Sequence, residues 1–88
     1  TGAECSGFTS YVYAHFGISI PSFSGAQRSC GQEVSYANAQ AGDLICYAGH
    51  VAIYMGGGKI VHAKGTAYGI VGNDNATYKT IITVRRLL

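Results

Sequence analysis

His50-Val51-Ala52-Ile53-Tyr54-Met55-Gly56-Gly57-Gly58-Lys59-Ile60-Val61-His62-Ala63 decides the fold of this 88-residue chain. Two apolar runs, His50 to Tyr54 and Lys59 to Ala63, flank three consecutive glycines, a pattern that predicts a β-hairpin. Loop length sets its register. With all three glycines in the loop, Met55 pairs with Lys59 and Ala52 with His62, so His50, Ala52 and His62 share a face. With Gly57-Gly58 alone, His62 pairs with Ile53 and faces away from His50, because a one-residue slip reverses every side chain. Bringing the imidazoles together therefore demands an odd-length loop or a bulge, and left-handed glycine favours the three-residue loop. The two histidines are then diagonal neighbours, roughly 7–8 Å apart at the backbone.

Working outward, Leu44 to Tyr47 reads as a strand before the hairpin. Gly69 to Val71 reads as a fourth strand, Asn73 to Tyr78 as a polar connection and Thr80 to Leu87 as the last strand. The first half is different. Phe8, Tyr11, Val12 and Phe16 recur at helical spacing and predict a helix from Cys5 to Phe16, stopped by Gly17. Ile18 to Pro21 is extended. A short helix over Phe23 to Cys30 follows, with Ser22 as cap and Gly31 as stop, and then a single turn at Ser35 to Asn38. Helices first and strands afterwards predict an α+β fold: N-terminal helices packed on a central antiparallel sheet of about five strands. The length allows one domain. A chain 48% hydrophobic and 11% charged excludes intrinsic disorder. Its net charge of +2 is scattered apart from Arg85-Arg86, too weak a field for nucleic acid. No apolar run approaches the roughly 20 residues of a membrane helix.

Three cysteines, Cys5, Cys30 and Cys46, are an odd number without C-x-x-C spacing, so at least one thiol is expected outside any disulfide. Cys5 opens the first helix, where unpaired N–H groups and the helix dipole stabilise a thiolate. A thiol nucleophile needs a base, and the base an orienting partner. His15 lies at the far end of that helix, about 15 Å away by the rise of ten residues. His50 and His62, on one face of the hairpin, are the better candidates. The same three residues are of the right types for zinc, but they lack paired ligand spacing. Cys46 reads as buried packing, Cys30 as a half-buried thiol, and Asp43 as the residue shaping the turn into Leu44. The seven tyrosines read as core rim. Gly56-Gly57-Gly58 is no phosphate loop, because neither Lys-Ser/Thr nor a helix follows it.

Glu4-Cys5-Ser6-Gly7-Phe8, Gly17-Ile18-Ser19-Ile20-Pro21, Ala41-Gly42-Asp43-Leu44-Ile45, His50-Val51-Ala52-Ile53-Tyr54-Met55-Gly56 and Ile60-Val61-His62-Ala63 together resemble the NlpC family of cell-wall cysteine endopeptidases, in order and spacing. The resemblance implies a papain-like fold and hydrolysis of bacterial peptidoglycan stem peptides, usually between D-glutamate and a diamino acid. It places Cys5 at the nucleophile, His50 at the general base and His62 at the orienting residue. It places Ser6 in the substrate groove, and Ser24 near the chemistry but not in it. Glu4, a substrate-contact position, stands where the family usually has Asp, and Ser22 stands where it often has a basic residue. The family's upstream segment, with its tyrosine and Gly-Gly turn, is not among these 88 residues, so residues 1–88 read as one papain-like domain lacking that segment. A secreted or wall-associated monomer is implied, acting without metal or cofactor, on neither nucleic acid nor membrane. With histidine as orienter, activity is expected to fall at acidic pH. The alternatives are a related thiol amidase or transpeptidase on γ-linked peptides, and a catalytically silent wall-binding module.

Overall fold

A computed structural model describes residues 2–63 and 69–88, including their side chains except those of residues 2–4 and Ser24. Helix α1 (Gly2–Ala14) and the short α2 (Ser24–Gln27) precede strands β2 (Leu44–Tyr47), β3 (His50–Gly56), β4 (Lys59–Ala63), β5 (Ile70–Asn75) and β6 (Ile81–Arg86), with β1 (Gln32–Val34) between α2 and β2. The six strands form one sheet in the order β1-β6-β2-β3-β4-β5, antiparallel at every pairing. The α+β expectation holds. The sheet gains a sixth strand because Gln32–Val34, too short and polar to register as a strand, pairs with the end of β6.

Every residue of β2 is buried, because both faces of the sheet are covered at its centre; such strands read as unbroken apolar runs. On one face Leu44, Cys46 and Val51 pack with Cys5 and Tyr13 of α1. On the other, Ile45, Tyr47, Ala52, Tyr54, Ile60, Ala76 and Val84 cluster, flanked by Val34, Tyr36, Ala39 and Ile81.

Helix α1 starts three residues before the expected Cys5 and ends two before Phe16, and its inward stripe is different. Cys5, Thr9 and Tyr13 are buried, whereas Tyr11 and Phe16 are about two-thirds exposed at 65% and 64%. The stripe is partly polar because Thr9 meets a buried amide. Its hydroxyl donates to Gln27 Oε1 at 2.7 Å, while Gln27 Nε2 donates to the carbonyls of Pro21 at 2.6 Å and Ser6 at 3.0 Å. Helix α2 is shorter than expected, capped by Phe23 rather than Ser22 and without a side-chain cap bond. At the opposite end of the sheet Asp43 shapes the turn as expected. It accepts from the Gln40 N–H at 2.8 Å and from Arg86 at 3.0 and 2.8 Å. Tyr13 donates to the carbonyl of neighbouring Gly42 at 2.6 Å.

The hairpin reaches the expected pairing by the other route. Gly56 pairs with Lys59, leaving a two-residue Gly57-Gly58 turn, and both glycines have positive φ (62° and 79°), as a type I′ turn requires. A bulge at Met55 then shifts the register so that Ile53 faces Val61, which sets Ala52 opposite His62. One extra residue in one strand corrects what the short turn would have inverted. Strand β5 runs on through Asn75, so the first half of the stretch expected to be a connection is strand and the second half, Ala76–Tyr78, a 3-10 turn. A second bulge, at Gly72-Asn73 opposite Val61, contains Asn73 with φ 62°. Asparagine tolerates that left-handed conformation better than most residues.

Candidate active site

His50 opens β3 directly opposite Tyr47, the last residue of β2. The rings stack, 5.9 Å apart and 30° from parallel. Tyr47 is held by its hydroxyl, which donates to the Ala76 carbonyl at 2.6 Å. His62 is fully buried. Its Nδ1 lies 2.6 Å from His50 Nε2, a hydrogen-bond distance. Tyr78, on a 3-10 turn after β5, sets its ring edge-on to both, 6.5 Å from His50 and 5.6 Å from His62.

Cys5 lies in the first turn of α1 and is fully buried. It packs against Val51, the neighbour of His50 on β3. Burial raises the Tyr78 hydroxyl above its ordinary pKa, and electrostatic interaction with Asp74 and Cys5 raises it further. The structure brings His50 and His62 into hydrogen-bond contact. Among the described residues no group of three or more His, Cys, Asp or Glu is arranged to hold a metal ion. The facing nitrogens of His50 and His62 are bonded to each other rather than converging on a shared ion.

The buried bonds around Gln27 fix the turn that carries Cys5. Ser6, expected in the substrate groove, is fully buried, and its hydroxyl donates to the Ser22 carbonyl at 2.6 Å. It ties the first turn of α1 to the Pro21-Ser22 segment. The Glu4 and Ser24 side chains, and Tyr68, lie outside the described residues. His15 pairs edge-on with Tyr11, 4.6 Å between centroids, at the far end of α1. Cys46 is packing: burial pushes its thiol up to about 12. Cys30 is half-buried, and no disulfide joins the three thiols.

One member of the site had no sequence signal. Asp74 Oδ2 lies 2.8 Å from His62 Nε2, from a position opposite Ile60 on β5. Gly72-Asn73-Asp74-Asn75 has the composition of a turn, and residues of this kind are depleted in strands. Only the burial of Ile60 and the pairing of β5 with β4 keep it in the sheet. Tyr47 and Tyr78 were visible only as two of many tyrosines.

The NlpC/P60 family profile matches residues 1–86. The chain belongs to the NlpC/P60 family. A protein named Probable endopeptidase p60, from Listeria seeligeri, is 45% identical over 69 residues, covering 73% of this chain and 13% of that protein. Peptidoglycan endopeptidase RipB of Mycobacterium tuberculosis is 43% identical over 70 residues, covering 75% and 29%. The solved structure of RipB superposes with a TM-score of 0.85 at 36% identity, over 94% of this chain and 44% of that one. The NlpC/p60 domain of the peptidoglycan hydrolase SagA superposes with a TM-score of 0.81 at 32% identity, over 96% and 76%. This NlpC/P60 chain has their papain-like fold, and it spans less than a third of the length of the two curated relatives.

Proposed function

We propose that this NlpC/P60 chain is a peptidoglycan hydrolase, a cysteine endopeptidase that cleaves stem peptides at the bond between D-glutamate and the diamino acid. The observation that carries the reading is the 2.6 Å contact between His50 Nε2 and His62 Nδ1, in a chain whose Cys5, early in α1, packs against Val51 on the strand that bears His50. A base and its orienter are what a thiol nucleophile requires. The names of the relatives supply the substrate class, and with it a place at the bacterial cell wall.

In this mechanism His50 takes the Cys5 proton, and the helix start helps hold the resulting thiolate. The sulfur attacks the amide carbonyl carbon. Backbone N–H groups of the first turn of α1 stabilise the oxyanion, and one such donor is typically worth about 3–4 kcal/mol. The C–N bond breaks as His50 gives its proton to the leaving amine. Water, deprotonated by His50, then attacks the thioester, breaks the C–S bond and restores the thiol. His62 holds the His50 ring throughout. Because Cys5 has no exposed surface, productive binding has to part the groups packed over the thiol.

That burial also favours a second reading, a wall-binding module that keeps the fold without turnover. Incubation of wild type and Cys5→Ser with purified muropeptides, read by mass spectrometry, separates the two. The endopeptidase yields a new fragment with wild type only, and its mass names the bond. Unchanged muropeptides that co-sediment equally with both proteins would establish the binding module. A product joined to a second peptide would establish a transpeptidase instead.

A further inference from the structure

We propose that Asp74 is a positioning residue that sets the tautomers of both histidines, so that the His50 nitrogen presented to Cys5 is the basic one. The inference rests on the catalytic reading of Cys5, His50 and His62.

An ionised carboxylate only accepts hydrogen bonds. The 2.8 Å contact between Asp74 Oδ2 and His62 Nε2 therefore puts the proton of neutral His62 on Nε2 and leaves Nδ1 as a lone pair. That lone pair meets His50 Nε2 at 2.6 Å, so His50 must donate from Nε2. A neutral imidazole has one N–H, so the remaining nitrogen of His50, Nδ1, is left unprotonated and able to take the thiol proton. The chain runs from Asp74 through His62 to His50, and each link dictates the next. Once His50 has taken the proton and become imidazolium, its Nε2–H still donates to His62 Nδ1. No ring has to turn between the two states.

An orienting histidine without this acid can reverse. With its proton on Nδ1 it would confront a donor on His50, and His50 would then turn its own N–H toward the thiol. Asp74 is suited to preventing this. Its carboxylate shares the β4–β5 surface with His62, and its side chain is about one-third exposed, at 34%, against 0% for His62. Tyr47 from β2 and Tyr78 from the 3-10 turn also face the histidine pair, and among the described carboxylates Asp74 lies at hydrogen-bond distance from His62.

The test is long-range proton–nitrogen NMR of the 15N-labelled imidazoles, in a Cys5→Ala background where no thiol competes for the proton. At about pH 8.5, above the ordinary histidine range, His50 and His62 should both show protonated Nε2 and unprotonated Nδ1. Adding Asp74→Asn, which keeps the shape and removes the charge, should give mixed or reversed patterns at both rings. In the Cys5 enzyme, Asp74→Asn should lower kcat about 10- to 100-fold, the range typical of groups that orient a functional histidine, with KM within about two-fold. Asp74→Glu should recover part of the loss. Imidazole patterns unchanged by Asp74→Asn would overturn the inference, whatever the turnover. So would a protonated Nδ1 on His50 with Asp74 intact, a result that needs no Asp74 variant to fold. Because the NMR needs no substrate, failure of the endopeptidase reading shows separately, as muropeptides left intact by wild type.

Discussion

In the proposed mechanism His50 and His62 have separable roles that single substitutions distinguish. His50→Ala removes the group that moves protons to and from the reacting atoms, and should reduce turnover to background. His62→Ala removes an orienter and should leave a measurable residue of activity, read as kcat on the same muropeptides. The cysteines differ by environment. Alkylation at pH 8 should modify half-buried Cys30 first and leave Cys46 untouched, because burial holds the Cys46 thiol protonated up to about 12; peptide mapping gives the order. Tyr47→Phe should cost about 1–2 kcal/mol in urea unfolding, since it strips the Ala76 carbonyl of its 2.6 Å bond in a buried setting. The facing of His50 and His62 was legible because their positions follow an element start and strand parity. Asp74 was not, since an acid in a polar run looks like a turn until its strand neighbours are known. The hidden hydroxyl of Ser6 was equally illegible, because nothing local says that Ser22 will fold back over it.

The hairpin shows how an element can be right in outcome and wrong in route. The glycines promised a loop and alternation defined the useful register, but a two-residue turn with a bulge meets the same parity as a three-residue loop. The bulge absorbs one surplus residue. Deleting Met55 should therefore leave a regular hairpin with Ala52 still opposite His62, and muropeptide hydrolysis should survive. Loss of activity in a folded deletion variant would mean that the bulge itself shapes the site. Gly31, expected only as a stop signal, has φ 62° and so little room that a Cβ would collide with the Arg86 carbonyl. Gly31→Ala should destabilise the β1–β6 edge by more than the roughly 1 kcal/mol of a left-handed alanine alone, seen as a lowered urea midpoint. In α1 the aromatic spacing correctly indicated a helix but the wrong face. The face that packs is chosen by Gln27, eighteen residues beyond Thr9, and no local periodicity carries that information.

Across the whole molecule, one ion pair fastens the last strand to the centre of the sheet. Burial works against ionisation of Asp43, yet the Arg86 hydrogen bonds and charge, together with the Gln40 N–H, outweigh it and hold the carboxyl below its ordinary value. A carboxyl depressed in the folded state stabilises the fold above its unfolded pKa of about 3.9. That contribution is lost as pH falls through the lower folded value. Tm should therefore decline below about pH 4, and Asp43→Asn should flatten part of that decline. Arg86→Ala leaves the buried Asp43 carboxylate without its cationic partner, and should lower the urea midpoint at neutral pH. Class and architecture were readable at this scale because helices preceded strands and β2 was uniformly apolar. The placement of β6 between β1 and β2 was not, since antiparallel pairing across more than thirty residues leaves no local mark.

The central claim is that Cys5 becomes acylated by a stem peptide while His50 moves the proton. Acid-quenched mixtures of protein and muropeptide, digested and mapped by mass spectrometry, test it most directly. The expected result is an acyl adduct on the peptide containing Cys5, carrying the D-glutamyl side of the cleaved bond and absent from Cys5→Ser. Hydrolysis by Cys5→Ser at the wild-type rate, or an adduct on Cys30 alone, would contradict it.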